Sequence, residues 1–431
     1  MPRARQAAAP RRVAVIGGGW AGIAAAIEAT ARGHRVTLFE MAAQLGGRAR
    51  RVDIDGLAVD NGQHILIGAY TQTLALLRRV GVDPEAALLR LPLRLVRPDG
   101  CGLVMRPGGP RRAFVRAVCS HPAWRWRDRG SLLAAAAGWS LSGFRCADET
   151  TVERLCRRLT PAVRSDVIEP LCVAALNTPA HEASASVFLR VLRDALFGGP
   201  GACDLLLPRR DLSALLPEPA AIWLPAHGAE LRLSRRVMRL DAGVSGWVVD
   251  DESFDAVVLA TPPGEAARLA REAAPQWATL AAALRYRPIV TVYVHSFGTR
   301  LIEPMLSLAA DDASAPAQFV FDLGTLRGHA GVLAFVVSSA QAWVDRGLEA
   351  TLQATLEQAR RALGPALLTP PEGLRTFIEK RATFACTPGL KRPSSRIAEH
   401  LLAAGDYVDG PYPATLEGAV RAGIAAVDSI R

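Results

Sequence analysis

A short apolar strand, VAVIG from Val13, runs directly into Gly17-Gly18-Gly19-Trp20-Ala21-Gly22, then an alanine-rich helix, then the strand RVTLFE ending at Glu40. No other stretch constrains the fold so tightly, because strand, glycine turn, helix and second strand together make a βαβ dinucleotide-binding unit. Gly17 permits the tight turn, Gly19 lets the backbone approach a pyrophosphate, and Gly22 lets helix and strand pack closely. The amides that open the helix, at Trp20 and Ala21, then face the phosphates together with the positive end of the helix dipole. Glu40 closes the second strand, where a carboxylate can accept both hydroxyls of a ribose.

The chain continues MAAQLGGRARRVDIDGLAVDNGQH, with Gly46-Gly47-Arg48 where an NAD-only domain would be starting another helix. This run resembles the FAD-binding half of the flavin amine oxidase and phytoene desaturase superfamily. There, LGGR follows the ribose-binding acid, and a glycine-containing strand passes beneath the flavin ring. The far C-terminus carries a matching piece, Gly405-Asp406-Tyr407 and then Pro413-Ala414-Thr415-Leu416-Glu417-Gly418-Ala419 opening a last helix. The resemblance implies bound FAD. It gives cofactor roles to Gly17, Gly19, Trp20, Ala21, Gly22, Glu40, Gly47, Arg48, Asn61, Gly62, Gly405, Asp406, Thr415 and Leu416, and makes Val237 the adenine neighbour at the start of a strand VMRLD.

The implied fold is α/β, a Rossmann-type FAD-binding domain with an inserted mixed α+β substrate domain. Residues 1–11 read as a disordered basic tail. Residues 12–90, 226–284 and 395–431 form the FAD-binding domain, and 91–225 and 285–394 form the substrate-binding domain. The first insertion is mostly helical and punctuated by prolines. The second carries β-rich runs such as IVTVYVH, QFVFDL and VLAFVVSS, and an amphipathic helix near Leu348 to Leu363.

Two further blocks narrow the likeness. Val59-Asp60-Asn61-Gly62-Gln63-His64 and Glu169-Pro170-Leu171-Cys172-Val173-Ala174-Ala175-Leu176-Asn177-Thr178 resemble the hydroxysqualene dehydroxylases, squalene-associated FAD enzymes of hopanoid pathways. That family implies a C30 isoprenoid allylic alcohol, hydroxysqualene, whose hydroxyl is replaced by hydride from reduced flavin to give squalene. An allylic C–O bond can break heterolytically because the neighbouring alkene delocalises the cation, and the protein must hold the carbinol carbon against the hydride donor. His64 and Gln63 are the catalytic candidates for assisting hydroxyl departure. Asn177 and Tyr412 are candidates for the substrate cavity. Asp60, Asp194, Asp204 and Asp211 are weaker ones, the last three reading better as caps or turn residues.

Composition restricts the partners. Half of the 431 residues are hydrophobic, which suits a long apolar tunnel, yet no uninterrupted apolar run approaches the 18 or so residues of a membrane span. The longest candidate, Leu132 to Phe144, reads as a buried core helix, with a membrane-seated helix as its rival. The net charge of +10 comes almost wholly from arginine, and no helix-turn-helix, RNP or finger pattern accompanies it, so nucleic acid is not expected. An anionic membrane surface is the better partner. Arg111, Arg112, Arg116, Arg125, Arg127 and Arg129 are interleaved with Phe114, Trp124 and Trp126, a composition suited to interfacial contact on the cytoplasmic face of the cell membrane. Seven scattered cysteines show neither zinc spacing nor a CxxC pair, so no metal is expected, and a reducing cytoplasm fits.

The electron donor, the proton donor and the oligomeric state have no sequence signature here. Two other readings stay open: a carotenoid or polyprenyl desaturase, which would take hydride out on the same fold, and a flavin-free prenyl-binding escort protein. Against the second stand the intact phosphate loop, Glu40 and the Gly405-Asp406 pair.

Overall fold

The structure, a computed structural model, describes residues 9–196 and 198–430. Its organising layer is a six-stranded sheet in the order Glu230–Arg232, Arg35–Phe39, Arg12–Ile16, Ala256–Leu259, Leu401–Ala403, Arg396–Ala398, parallel except at the last strand. Val13 and Val15 point into one core and Ala14 and Ile16 into another. Burial on both faces explains why these strands are continuous apolar runs and do not alternate.

The helix Trp20–Ala31 follows the glycine turn, and the last helix, Leu416–Asp428, lies against it. Small residues set that approach: a Cβ on Gly423 would stand 2.2 Å from the Ala21 carbonyl oxygen. Close helix packing thus returns the C-terminus to the N-terminal phosphate loop.

A second, antiparallel sheet runs Met305–Ser307, Phe319–Asp322, Val332–Val337, Tyr286–His295, Glu372–Phe384. Its strands sort their side chains with a period of two. Leu306, Val320, Phe335 and Val337 join the core beneath the helix Leu348–Leu363, whereas Met305, Phe319, Phe321 and Val336 face the other way. Opposite that second face stand the helices Glu169–Leu176 and Ala185–Leu196, backed by Pro110–Cys119 and Trp126–Leu141.

Four expectations need correction. Residues 1–8 of the expected tail lie outside the described residues, but Arg11 belongs to the fold. Its amide donates to His34 Nδ1, its guanidinium contacts His400, and its carbonyl receives the Arg35 amide. The expected strand VMRLD begins only at Leu240, because the Asp250 carboxylate takes the amides of Met238 and Arg239 at 2.9 and 3.0 Å before any ladder forms. The helix expected at 132–144 runs Trp126–Leu141 and is not enclosed by the core; only Leu132, Ala136 and Trp139 are buried. Phe114 and Trp124 are core residues, so of the three aromatics between Arg111 and Arg129 only Trp126 faces outward. No helix among the described residues is long and apolar enough to cross a membrane.

Candidate active site

The phosphate loop is shaped by contacts that tolerate no side chain. Gly17 has φ +106°, donates to the Phe39 carbonyl at 2.8 Å, and has no room for a Cβ, which would meet Ala260 O at 2.6 Å. A Cβ on Gly22 would fall 1.8 Å from Gly17 O, so this glycine serves helix packing. Gly19 differs: its nearest neighbour would be Gly47 Cα at 4.0 Å, and its backbone borders open space. The helix that follows has neither a side-chain cap nor an acidic residue in its first turn. Its leading amides are therefore available to an anion.

Glu40 is buried and does two things. Its Oε2 accepts the Gly18 amide at 2.6 Å and its Oε1 the Ala42 amide at 2.8 Å, so the acid expected at the ribose braces the glycine loop. Arg48 crosses to the C-terminal block, donating to Asp406 Oδ1 at 2.7 Å and to the Ala382 carbonyl at 2.6 Å. Trp20 Nε1 donates to Ala49 O, joining the helix start to the LGGR segment. Thr415 is committed as the cap of the last helix, its Oγ1 accepting the Gly418 amide at 3.0 Å. Leu416 opens that helix beside it, and Gly405 lies under the Tyr407 ring.

These residues border one cavity of about 930 Å³. Of the residues expected at the cofactor or substrate, Gly17, Gly19, Trp20, Ala21, Glu40, Gly47, Arg48, Asn61, Gly62, Gln63, His64, Asn177, Val237, Gly405, Asp406, Tyr412, Thr415 and Leu416 line it; Gly22 and the four weaker aspartate candidates do not. The cavity fits a flavin dinucleotide on its own chemistry. A side-chain-free cradle is formed by Gly19 and Gly47, uncapped helix amides face it, and unpartnered buried polar atoms wait at Thr261 Oγ1 and at both amide atoms of Gln63.

At the inner end Asn61 donates through Nδ2 to Glu379 and to the Arg48 carbonyl. His64 Nδ1 lies 2.6 Å from the Gly62 carbonyl oxygen. A carbonyl only accepts, so the proton sits on Nδ1 and Nε2 presents a lone pair. Burial lowers the His64 pKa, partly opposed by the Gly62 hydrogen bond and the Asp60 charge. The ring is therefore neutral near pH 7, an acceptor and not the proton donor that the sequence suggested as one of its roles. Gln63 is the complementary group, with free donor and acceptor atoms.

Asn177 and the aspartates turn out differently. Asn177 sits in the left-handed region at the end of Glu169–Leu176. Its Nδ2 donates to Thr383 Oγ1 and the Arg287 carbonyl, and its Oδ1 accepts the Ser339 amide. Its polar atoms are spent on clamping the helical wall to the second sheet. Asp60, Asp194, Asp204 and Asp211 do not line the cavity: the first three pair with Arg327, Arg190 and Arg193, and Arg90, and Asp211 caps the turn at Leu212.

Sequence reasoning did not single out the apolar wall. Leu171, Val173, Ala174 and Ala175 come from one helix, Phe188, Val191, Leu192 and Ala195 from the next, and Met305, Phe319, Phe321 and Val336 from the sheet. None is charged. The period-two pattern of QFVFDL could have marked Phe319 and Phe321 as sharing a face, but not what that face meets.

Comparison with known proteins agrees with this geometry. The chain is 27% identical to a hydroxysqualene dehydroxylase of Sinorhizobium fredii, covering 97% of this chain and 98% of that protein. It is 28% identical, with the same coverage, to one of Rhodopseudomonas palustris. Cyclohexylamine oxidase from Brevibacterium oxydans superposes with a TM-score of 0.71 over 98% of both chains at 16% identity, a likeness of fold. The model of the flavin containing amine oxidoreductases matches residues 20–431, so this chain belongs to that family and is an FAD-dependent oxidoreductase.

Proposed function

We propose that the chamber takes hydroxysqualene, a C30 allylic alcohol, and that the enzyme replaces its hydroxyl with hydrogen to give squalene. The observation that carries this reading is the apolar wall made by Leu171, Val173, Phe188, Val191, Phe319 and Val336, which suits a polyene. The names of the relatives that match over nearly the full chain point the same way.

When bound, reduced FAD would supply a hydride and a proton, so that the hydroxyl leaves as water and the flavin ends oxidised. The protein's part is to bind, orient and exclude water. The apolar helices and sheet face hold the polyene and keep solvent from the allylic cation as it develops. His64 Nε2 accepts the hydrogen bond of the substrate hydroxyl and fixes its direction, while the Gln63 amide donates to the same oxygen as negative charge grows on it. Desolvation strengthens both contacts. The same reading puts the enzyme on the cytoplasmic face of the membrane that dissolves such a substrate.

Anaerobic incubation of the reduced holoenzyme with hydroxysqualene tests the reading. Squalene should form in an amount equal to the reduced flavin. Absence of squalene, with dehydrogenation of a saturated polyprenyl chain by the oxidised enzyme, would make the protein a desaturase.

A further inference from the structure

The helix Trp126–Leu141 exposes an unusual face. Trp126 is 76% and Leu141 90% exposed, and Gly130, Ala134 and Ala137 between them are exposed as well. Successive spacings of four, four, three and four residues keep these positions within a sector of about 80° on a 3.6-residue helix, over about 22 Å of its length. None carries a charge. The opposite stripe of Leu132, Ala136 and Trp139 is buried, so the helix is apolar both toward the core and away from it. A surface helix that answers only to water would place polar side chains outward.

The surroundings are basic. Arg111, Arg112 and Arg116 are exposed on the neighbouring helix Pro110–Cys119, Arg125 and Arg127 at the start of this one, and Arg145 beyond its end. Arg111, Arg112, Arg116 and Arg127 have no ion-pair partner among the described residues. The Arg127 guanidinium stands 5.5 Å from the centre of the Trp126 ring. The acid within this helix, Asp128, is engaged by the Arg125 amide at 2.9 Å.

We propose that this face docks on an anionic lipid bilayer, with Trp126 and Leu141 entering the headgroup region and the arginines pairing with lipid phosphates. Charge complementarity selects this occupant. A second copy of the chain would bring a like-charged arginine fringe against the first. The face is also well placed: its helix packs on Pro110–Cys119, which packs on Ala185–Leu196, whose Phe188, Val191 and Leu192 line the chamber. Passage of substrate from bilayer to chamber through this side rests on the substrate proposed above; lipid binding does not.

The test floats the holoenzyme, without substrate, with vesicles of phosphatidylglycerol or of phosphatidylcholine. Partition into the anionic vesicles should be stronger by about tenfold or more. Trp126→Ser combined with Leu141→Glu should lower it by about tenfold with flavin absorbance and Tm unchanged, because both side chains are exposed. Arg111→Gln with Arg112→Gln and Arg127→Gln should remove the preference for anionic lipid. Failure to bind anionic vesicles, or binding unchanged in the Trp126 and Leu141 variant, overturns the proposal. A dimer in sedimentation that Leu141→Glu dissociates, without vesicle binding, would assign the face to a second copy. Conversion of hydroxysqualene in detergent by a protein that ignores vesicles would overturn the docking surface and leave the substrate reading standing.

Discussion

At the scale of single residues the decisive feature is a proton's location. With Nδ1–H committed to the Gly62 carbonyl, His64 can only accept at Nε2 while neutral. Burial holds its pKa below the ordinary imidazole value, so the folded protein favours the neutral ring, and the stability tied to it is present above the unfolded pKa and is lost as pH falls below that value. The same sign governs activity. If neutral His64 orients the substrate hydroxyl, kcat/KM should stay level as pH falls from 8 through the ordinary imidazole range near about 6.5. His64→Ala should lower it about tenfold, roughly the worth of one hydrogen bond, with FAD retained. His64→Gln, which keeps an acceptor, should recover part of the loss. A rate that climbs as pH drops through that range would show that imidazolium is the working form and overturn the assignment. His64 and Gln63 were visible in the sequence as polar groups in a flavin-proximal motif. Their division into acceptor and donor was not, because it depends on a backbone carbonyl two residues away.

Between elements, the site depends on a buried ion pair that sequence alone could not reveal. Asp60 closes the strand Leu57–Asp60 that leads into Asn61-Gly62-Gln63-His64, and its side chain and that of Arg327 are 0% and 3% exposed. Arg327 ends the short helix Leu323–Arg327 beside the second sheet. Asp60 Oδ1 also accepts the Leu212 amide at 2.8 Å, and its carbonyl receives the Tyr293 hydroxyl at 2.7 Å. One carboxylate residue therefore joins the strand that leads into His64 to three distant segments. Its partner lies 267 positions away, so local pattern carries no trace of the pairing. Desolvation pushes the Asp60 pKa up and Arg327 opposes it. Arg327→Leu would leave a buried carboxylate without its cation, and should cost about 3–5 kcal/mol in urea unfolding. Asp60→Asn with Arg327→Leu removes both charges and should recover a large part of that loss. If the single variant is as stable as the parent, the pair is not what holds the Asn61 to His64 segment in place.

For the molecule as a whole, what was legible follows from which side chains carry chemistry. The roles expected of the glycines, Glu40, Arg48 and Asp406 demand particular residue types at particular spacings, so separated blocks of sequence could be assigned to one site, and these residues do border one cavity. The chamber is made of Leu, Val, Ala, Phe and Met, which in sequence look the same whether they line a void or fill a core. What decides is geometry. One face of the second sheet looks across at two helices, and the alternation that sends Val320 and Phe335 into the far core leaves Phe319, Phe321 and Val336 facing the cavity. If that space holds a long polyene, narrowing it must discriminate by chain length. Ala175 lines the cavity from the helix Glu169–Leu176, so Ala175→Phe adds a ring on the wall without touching the phosphate loop. FAD content should be unchanged. For the C30 alcohol kcat/KM should fall about a hundredfold, since the displaced chain loses both contact area and its alignment at the flavin. A short allylic alcohol that occupies only the inner end beside Gln63 and His64 should be turned over at nearly the parent rate. Equal losses for the long and the short substrate would mean that the substituted wall supports the flavin end itself and does not form a tunnel for the hydrocarbon chain.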